Sequence, residues 1–388
     1  MSLFVFDRLI DAADFCNFES EKKRIEDSIS QGHCLKLFAP RNFGKTSLIK
    51  NIIAKDWELK SPDTRIVIYI DFYSFTSIDE VSMEFTKAFN EGLSRKKNLL
   101  EKSADFFALF KKVRPVWKPP VDADGLGEFS IRTTQDQSVV EFSAVLENIN
   151  ALVTAEKFEF LIIFDEFQEI KNIPRLEAKL RESLQKMKPT VPVVVLGSKF
   201  HLLKKIFETP HAPFANWGMT VEMGYIPFEH YTQYANERLK KMSMYLEPTE
   251  SIFLQESLNR IPEVMNKMCN FMSSLPIEGG INRGHIVGSI DSYIELSRSI
   301  YSSLYAEFSL NERKIICALA SLHKTSSISG KEFLKVVDGM SKSGVANIVD
   351  KLMDKGTIDR SVNEAGSFEF SITDPLFRKF VEKYHIFR

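Results

Sequence analysis

The chain has 388 residues, more than one hydrophobic core normally serves, so two or three domains are expected. Its 51 Lys and Arg residues nearly cancel its 52 Asp and Glu residues, which excludes a general charge attraction to nucleic acid or to an anionic membrane. Four scattered cysteines without a C-x-x-C pair argue against a zinc site or a disulfide scaffold. The sequence has no membrane-length apolar run and no signal-peptide order at its N-terminus, so a cytoplasmic protein is predicted.

From residue 35 to about residue 223, short apolar runs alternate with amphipathic stretches, an order typical of an α/β fold with a parallel sheet. The predicted strands are Leu35–Phe38, Ile66–Ile70, Phe160–Phe164, Val193–Leu196 and Met219–Met223. The predicted helices are Thr46–Ile53, Ser77–Leu93, Ser138–Ala155 and Arg175–Met187. Ser77 and Ser138, each followed three residues later by Glu, predict capping boxes. A proline- and glycine-rich break predicts a hairpin insertion at about residues 113–133.

After Pro227 the pattern predicts helices without strands to about residue 307, interrupted by Pro262 and by the Gly279-Gly280 pair. The remaining elements follow the order helix, helix, helix, hairpin, which is typical of a winged helix-turn-helix. They are Leu310–Leu322, Lys331–Val337, Lys342–Lys355, Thr357–Ser361 and Phe368–Thr373. The predicted domains are therefore a P-loop domain at residues 1–226, a helical lid at 227–307 and a winged helix at 308–388.

The segment "APRNFGKT", residues 39–46, departs from the phosphate-loop pattern G-x-x-x-x-G-K-[ST] only at its first position. In such a loop, backbone N–H groups and a helix N-terminus form a concavity for phosphate. Gly44 permits close approach of the backbone, Lys45 adds charge and Thr46 offers a hydroxyl to Mg²⁺. Ala39 replaces the first glycine, and it can be accommodated if its φ is negative.

A second motif, "LIIFDEFQEI" at residues 161–170, is an apolar strand with two carboxylates at its end. Asp165 is positioned to hold Mg²⁺ through water, and Glu166 to polarise an attacking water. Ser198 follows the next strand and would lie beside the third phosphate. An isolated strand end of this kind is equally consistent with a capped strand, so the prediction depends on the phosphate loop.

Together, "PRNFGKTSLIK", "LIIFDEFQEI", "VVVLGS" and the C-terminal "FSITDPLFRKFVEKY" resemble the archaeal-type ATPase family, which is allied to the STAND and AAA+ P-loop NTPases. The resemblance implies an AAA+-like sheet followed by a helical lid and a winged helix. It implies binding of ATP and Mg²⁺, with Asp165 supporting the metal, Glu166 activating water and Ser198 as a polar sensor. The implied phosphate-loop residues are Pro40, Arg41, Asn42, Phe43, Gly44, Lys45, Thr46 and Ser47.

The chain departs from this family in three places. The box F-x-G-R-x-x-E, which contacts the adenine side, is replaced by a run from Phe18 to Glu26 that lacks the Gly-Arg. No arginine occurs between Arg181 and Arg238, although relatives carry one that reaches the γ-phosphate; Lys204 or Lys205 could substitute. In the lid, the Gly-Gly-x-Pro motif of STAND relatives keeps its proline as Pro262 but lacks both glycines. Arg260 lies where a second sensor could contact phosphate.

The sequence therefore predicts a slow, Mg²⁺-dependent ATPase that acts as a nucleotide-controlled switch. The predicted partners are ATP or ADP and a protein that contacts the winged helix. Two alternatives stay open. One is a DNA-binding initiator that uses its winged helix, for which the slight basic excess of residues 309–388 is weak support. The other is an interaction scaffold in which ATP is structural and not turned over.

Overall fold

The computed structural model describes residues 3–96, 142–155, 158–337, 339–362 and 368–386. The hairpin predicted at about residues 113–133 and the capping box predicted at Ser138 lie outside these ranges.

The first half of the described chain forms one five-stranded parallel sheet with the strand order β2-β3-β4-β1-β5. The strands are β1 (Leu35–Phe38), β2 (Arg65–Asp71), β3 (Glu159–Asp165), β4 (Val193–Gly197) and β5 (Met219–Glu222). All five predicted strands are confirmed to within one residue at either end. Their apolar runs are recognisable because helices cover both faces of a parallel sheet. The inner strands β1, β3 and β4 are almost entirely buried, whereas the edge strands β2 and β5 are buried at only some positions.

Helices cover the two faces of this sheet. They are α1 (Glu19–Ser30), α2 (Ser47–Ile53, continuing as Ala54–Leu59), α3 (Ile78–Ser94), α4 (Phe142–Thr154), α5 (Leu176–Gln185) and α6 (Phe200–Phe207). Alternate strand residues pack into two separate cores: Leu37 and Ile163 face α1 and α2, whereas Ile68 and Ile162 face the opposite side. The predicted end of α2 at Ile53 is wrong, because no glycine or proline interrupts the chain before Pro62.

Ser77 caps α3 as predicted, since its hydroxyl accepts the N–H of Glu80 at 3.2 Å. The reciprocal half of the predicted box differs. The Glu80 carboxylate accepts the N–H of Thr76, at 2.6 Å, and not that of Ser77.

A second group of elements follows β5. It comprises α7 (Phe228–Leu239), β6 (Met244–Leu246), α8 (Pro248–Ser257), α9 (Pro262–Ser273), β7 (Gly279–Ile281), α10 (Arg283–Leu296) and α11 (Arg298–Ala306). The prediction that strands stop after Pro227 is wrong, because β6 and β7 pair in parallel. Gly279 has φ +74°, which suits glycine, and a Cβ on Gly280 would lie 3.2 Å from the Tyr245 ring, so the absence of a side chain leaves room for that ring. Three-residue strands are too short to show a periodic pattern.

The C-terminal elements are α12 (Leu310–Leu322), α13 (Lys331–Val336), α14 (Lys342–Asp354), β8 (Ile358–Val362), β9 (Phe368–Ile372) and α15 (Pro375–Val381, continuing as Glu382–Ile386). The antiparallel pairing of β8 with β9 confirms the predicted strands. The three-domain division itself stays a prediction. One buried apolar cluster runs from Leu37 in the sheet through Met265 to Leu319, so these parts share a continuous core. Within the described residues, no helix combines the length and the apolar character needed to cross a membrane.

Glu312 ties the C-terminal elements together. It is almost fully buried at 2% exposure, and its carboxylate accepts the N–H of Ser309 at 2.8 Å. The ammonium groups of Lys355 and Lys351, on α14, lie 2.8 Å and 3.1 Å from the same carboxylate. The hydrogen bond from Lys355 is the largest cause that lowers the pKa of Glu312 to about 2.

We expect Glu312→Gln to lower the free energy of unfolding at neutral pH by about 2 kcal/mol, because charge-assisted hydrogen bonds are lost. Since the folded-state pKa lies below the ordinary value of 4.5, this stabilisation is present above that value and is lost as the pH falls toward about 2. Chemical denaturation of both proteins from pH 7 to pH 2 measures the difference. Glu307→Gln, at an exposed position nearby, is the control. An equal effect of the two substitutions at pH 7 would contradict the role of Glu312.

Candidate functional site

The loop between β1 and α2 bends back on itself at two residues. Asn42 and Gly44 have φ values of +66° and +84°, in the left-handed region. Ala39 does not have a positive φ, so alanine at the first position of the motif causes no backbone strain there. A Cβ added to Gly44 would lie 3.1 Å from the ring of Phe15. Glycine is therefore required at residue 44 and not at residue 39.

Lys45 places a buried ammonium inside this loop. The side chain is only 5% exposed, and its Nζ donates to the carbonyl of Pro40 at 3.2 Å. Burial lowers the pKa of Lys45, while the negative charges of Glu166, Asp165 and Asp359 oppose that shift. A cation held in this way attracts an anion more strongly than one in water, because the local dielectric is low.

Thr46 and Asp165 meet although they follow different strands. The Thr46 hydroxyl donates to Asp165 Oδ2 at 2.7 Å. The hydroxyl of Tyr69, from the neighbouring strand β2, donates to the same oxygen at 2.7 Å. Burial and the Asp165 carboxylate raise the pKa of Tyr69, so its hydroxyl stays protonated as a donor. A hydroxyl and a carboxylate are hard oxygen ligands, so this pair fits the chemistry of Mg²⁺.

Glu166 is held by two side chains at the same edge of the sheet. Its backbone lies in the left-handed region with φ +47°, an uncommon conformation for a non-glycine residue. The hydroxyl of Ser198, after β4, donates to Glu166 Oε2 at 3.0 Å, and the amide of Gln168 donates to the same oxygen. The three predicted residues Asp165, Glu166 and Ser198 therefore converge, because parallel strands end at the same edge.

Sequence reasoning missed Tyr69 and Gln168. Tyr69 lies inside an apolar run where nothing marks it as functional. Gln168 belongs to the quoted motif "DEFQ", which was the available signal, but no role was assigned to it. Its side chain is 1% exposed, and its Oε1 has no hydrogen-bond partner among the described residues.

A cavity of about 480 Å³ opens beside the loop. The predicted residues Arg41 to Ser47 and Glu166 line its polar end. The opposite wall comes from the N-terminal segment, including Leu9, Ile10 and Phe15, and from the helices after β5. Asp165 does not line this cavity; its carboxylate accepts the hydrogen bond from Thr46. Pro40 lines a second, smaller cavity on the other side of Phe43.

The N-terminal segment before Phe18 forms this wall of the cavity. From the run Phe18 to Glu26, only Phe18 lines the cavity; the rest forms helix α1. The backbone of Ile10 is fixed to α2, since its N–H donates to Ser47 Oγ and its carbonyl accepts from Asn51 Nδ2, both at 3.2 Å. The sequence gives no signal for this contact, because the segment is irregular.

The alternative phosphate-binding cations do not line the cavity. Arg260 stacks on Phe228 at 4.1 Å and donates to the carbonyl of Ile226 at 2.7 Å, so it braces the connection after β5. Lys204 pairs with Glu208 at 3.4 Å and lies 4.9 Å from the ring of Phe368. Arg260, at the position where the resemblance implies a second sensor, therefore contacts Phe228 and Ile226 and does not line the large cavity.

Solved structures of archaeal proteins share the fold of this chain. The Walker-type ATPase PABY2304 of Pyrococcus abyssi superposes with a TM-score of 0.63 at 15% identity, over 98% of this chain and 99% of that one. ORC2 of Aeropyrum pernix, solved as ADPNP–ADP complexes, gives 0.52 at 11% identity, over 98% of each chain. ORC1 of Aeropyrum pernix, solved in complex with DNA, gives 0.50 at 11% identity, over 98% and 95%. No protein-family model and no curated protein matches the sequence.

These identities are low enough that the likeness concerns the fold alone. The structural similarity and the strand order β2-β3-β4-β1-β5 together confirm the predicted α/β class, an AAA+-like P-loop fold built on a parallel sheet.

The left-handed backbone at Gly44 generates a test of the loop. We expect Gly44→Ala to lower the free energy of unfolding by roughly 1–2 kcal/mol, because a Cβ disfavours this conformation and the Phe15 ring must move. Gly288→Ala is the matched control, since this glycine lies inside helix α10 with nothing within 4 Å of an added Cβ. Urea denaturation of the two variants should show a loss only for Gly44→Ala. A control variant as destabilised as Gly44→Ala would refute the assigned strain.

Proposed function

We propose that this protein binds ATP with Mg²⁺ at the loop of residues 40–47 and hydrolyses it slowly. The observation that carries the proposal is the convergence of Thr46, Asp165, Glu166 and Ser198 around the buried ammonium of Lys45. A buried cation beside acceptor-rich side chains, at the carboxyl edge of a parallel sheet, is the arrangement that phosphoryl-transfer sites use.

The large cavity suits a nucleotide. Its volume of about 480 Å³ falls within the range of small-molecule sites. The phosphates belong at the loop end, where Lys45 and the N-terminus of α2 supply positive charge. The base belongs at the other end, where Ile10, Phe15 and Ile226 offer apolar surface. Adenine is the proposed base because the solved relatives with this fold are an ATPase and a complex with ADPNP and ADP.

The metal would be held by the Thr46 hydroxyl and, through water, by Asp165. Bound there, Mg²⁺ supplies charge neutralisation for the phosphate oxygens. The hydrogen bond from Tyr69 keeps the Asp165 carboxylate oriented toward Thr46.

Hydrolysis requires a base beside the third phosphate, and Glu166 is the proposed group. The water oxygen forms a bond to the γ-phosphorus while the bond from that phosphorus to the bridging oxygen breaks. ADP leaves with the electron pair of the broken bond, and Glu166 accepts a proton from the water. Ser198 and Gln168 hold the Glu166 carboxylate at the sheet edge, so its orientation depends on the tip of β4.

The proposed output is a conformational switch. The cavity is closed by residues from three parts of the chain: the N-terminal segment, the phosphate loop, and Pro262, Glu263 and Asn266 of α9. A nucleotide that fills it contacts all three parts and so favours their closed arrangement. Because no arginine lies between Arg181 and Arg238, turnover is slow as long as no other part of the chain brings a cation to the γ-phosphate. A protein that recognises the C-terminal elements is the proposed partner.

A DNA-binding role has one supporting observation, the solved DNA complex of ORC1, which shares the fold. The predicted reading helix α14 weakens this alternative. Two of the three lysines on or next to this helix, Lys351 and Lys355, pair with Glu312 and are partly neutralised. Measuring the binding of duplex DNA at increasing salt concentration tests this alternative, which requires an affinity that falls steeply with salt.

We expect Lys45→Ala to weaken ATP and ADP binding by about 10- to 100-fold, because a charge-assisted contact to phosphate is worth roughly 1.5–3 kcal/mol. Isothermal titration calorimetry measures both affinities. Lys60→Ala, at an exposed position beyond α2, is the control and should bind like wild type. Wild type that binds neither nucleotide, or Lys45→Ala that binds normally, would refute the site.

A second substitution distinguishes a slow ATPase from a scaffold. We expect Glu166→Gln to keep ATP binding and to lower the single-turnover hydrolysis rate by about 100-fold or more, because the amide cannot accept the proton. Glu182→Gln, on the exposed side of α5, should hydrolyse ATP at the wild-type rate. An unchanged rate in Glu166→Gln would favour the alternative in which ATP is structural.

A further inference from the structure

The C-terminal hairpin lies against the outer side of the phosphate loop. A second cavity, of about 160 Å³, is lined on one side by Pro40 and Ser198. Its other side comes from Asp359, Arg360 and Ser361 of strand β8. Lys204 Nζ, on α6 beyond β4, is 4.9 Å from the ring of Phe368, so the hairpin also contacts the sheet domain through its second strand, β9.

This second cavity adjoins the end of the site where a third phosphate would lie. Ser198, which lines it, donates to Glu166, which lines the large cavity. Pro40, which also lines it, accepts from Lys45. Both links place the second cavity beside Lys45 and Glu166, the residues that the proposed γ-phosphate would contact.

Arg360 is the cation that the hairpin presents at this place. Its guanidinium stacks 4.0 Å from the ring of Phe368, an arrangement that leaves the N–H edges available to an anion. Its Nε is buried without a hydrogen-bond partner among the described residues. A buried donor left unpaired is unfavourable, so an oxyanion in the cavity would satisfy it.

Asp359, next to Arg360, has the opposite charge and lies close enough to the loop to oppose the lowering of the pKa of Lys45. A phosphate beside Lys45 would repel this carboxylate and attract the neighbouring guanidinium. The two residues therefore respond in opposite directions to the same anion.

We infer that Arg360 contacts the γ-phosphate of bound ATP, so that the C-terminal hairpin supplies within one chain the cation that is missing between Arg181 and Arg238. This inference rests on the proposed ATP site. ATP recruits the hairpin through Arg360, and ADP does not, because it lacks the phosphate that Arg360 reaches. Loss of the γ-phosphate on hydrolysis then releases the hairpin, which links the nucleotide state to the C-terminal elements.

The test compares Arg360→Ala, Arg360→Lys and wild type in the full chain. We measure equilibrium binding of ADP and of a non-hydrolysable ATP analogue, together with the single-turnover rate of ATP hydrolysis. Arg360→Ala should bind ADP within twofold of wild type and bind the ATP analogue at least about 10-fold more weakly. Its hydrolysis rate should fall by about 100-fold or more, since arginines at such sites contribute up to 10³–10⁵-fold. Arg360→Lys should recover part of the rate, because it keeps the charge without the planar fork.

Arg298→Ala is the matched control, since Arg298 also stacks on an aromatic ring, that of Tyr384 at 4.7 Å, on exposed α11. It should match wild type in every assay. An unchanged ratio of ATP-analogue to ADP affinity in Arg360→Ala, or an equal loss of both ligands, overturns the role of Arg360 while leaving the ATP site intact. Failure of wild type to bind either nucleotide, or normal binding by Lys45→Ala, overturns the ATP site and the inference together.

Discussion

The buried ammonium of Lys45 is the constraint on which the rest of the site depends. Removing a cation from water costs several kcal/mol unless nearby acceptors and negative charges compensate. The carbonyl of Pro40 is the direct acceptor, and the carboxylates of Asp165 and Glu166 supply the field. Lys45 also lines the large cavity, so a phosphate bound there would share the ammonium with these acceptors.

The strand order places those carboxylates. In the sheet, β4 lies between β1 and β3, so the loop after β1, Ser198 after β4 and Asp165 after β3 meet at one edge. The hydrogen bond from Thr46 to Asp165 crosses β4 to join residues 119 positions apart in the chain. Because each group sits at the end of a rigid, fully buried strand, the arrangement needs little reorganisation before a nucleotide enters.

Enclosure of the site comes from outside the sheet. The N-terminal segment is fastened to α2 by Ile10, and α9 closes the cavity from the opposite side. Phe43 separates this cavity from the smaller one that the C-terminal hairpin covers, and its ring packs 5.7 Å from that of Tyr225. The phosphate loop is thus in contact with the beginning and the end of the chain. A ligand at the loop affects both, which is the physical basis for coupling nucleotide state to the C-terminal elements.

The sequence by itself determined the five sheet strands, the phosphate loop and the acidic strand end, because each is a local pattern: a buried run, a glycine with its lysine, or carboxylates after an apolar strand. It could not determine the hydrogen bonds of Tyr69 and Gln168, the wall formed by Ile10 and Phe15, or the shared lining of the smaller cavity by Arg360 and Pro40. These contacts join residues far apart in the chain, and only strand order and the packing of helices decide which of them meet. The three-residue strands β6 and β7 were not predicted for a related reason, since they are too short for a repeated pattern and their pairing is decided only in the folded chain.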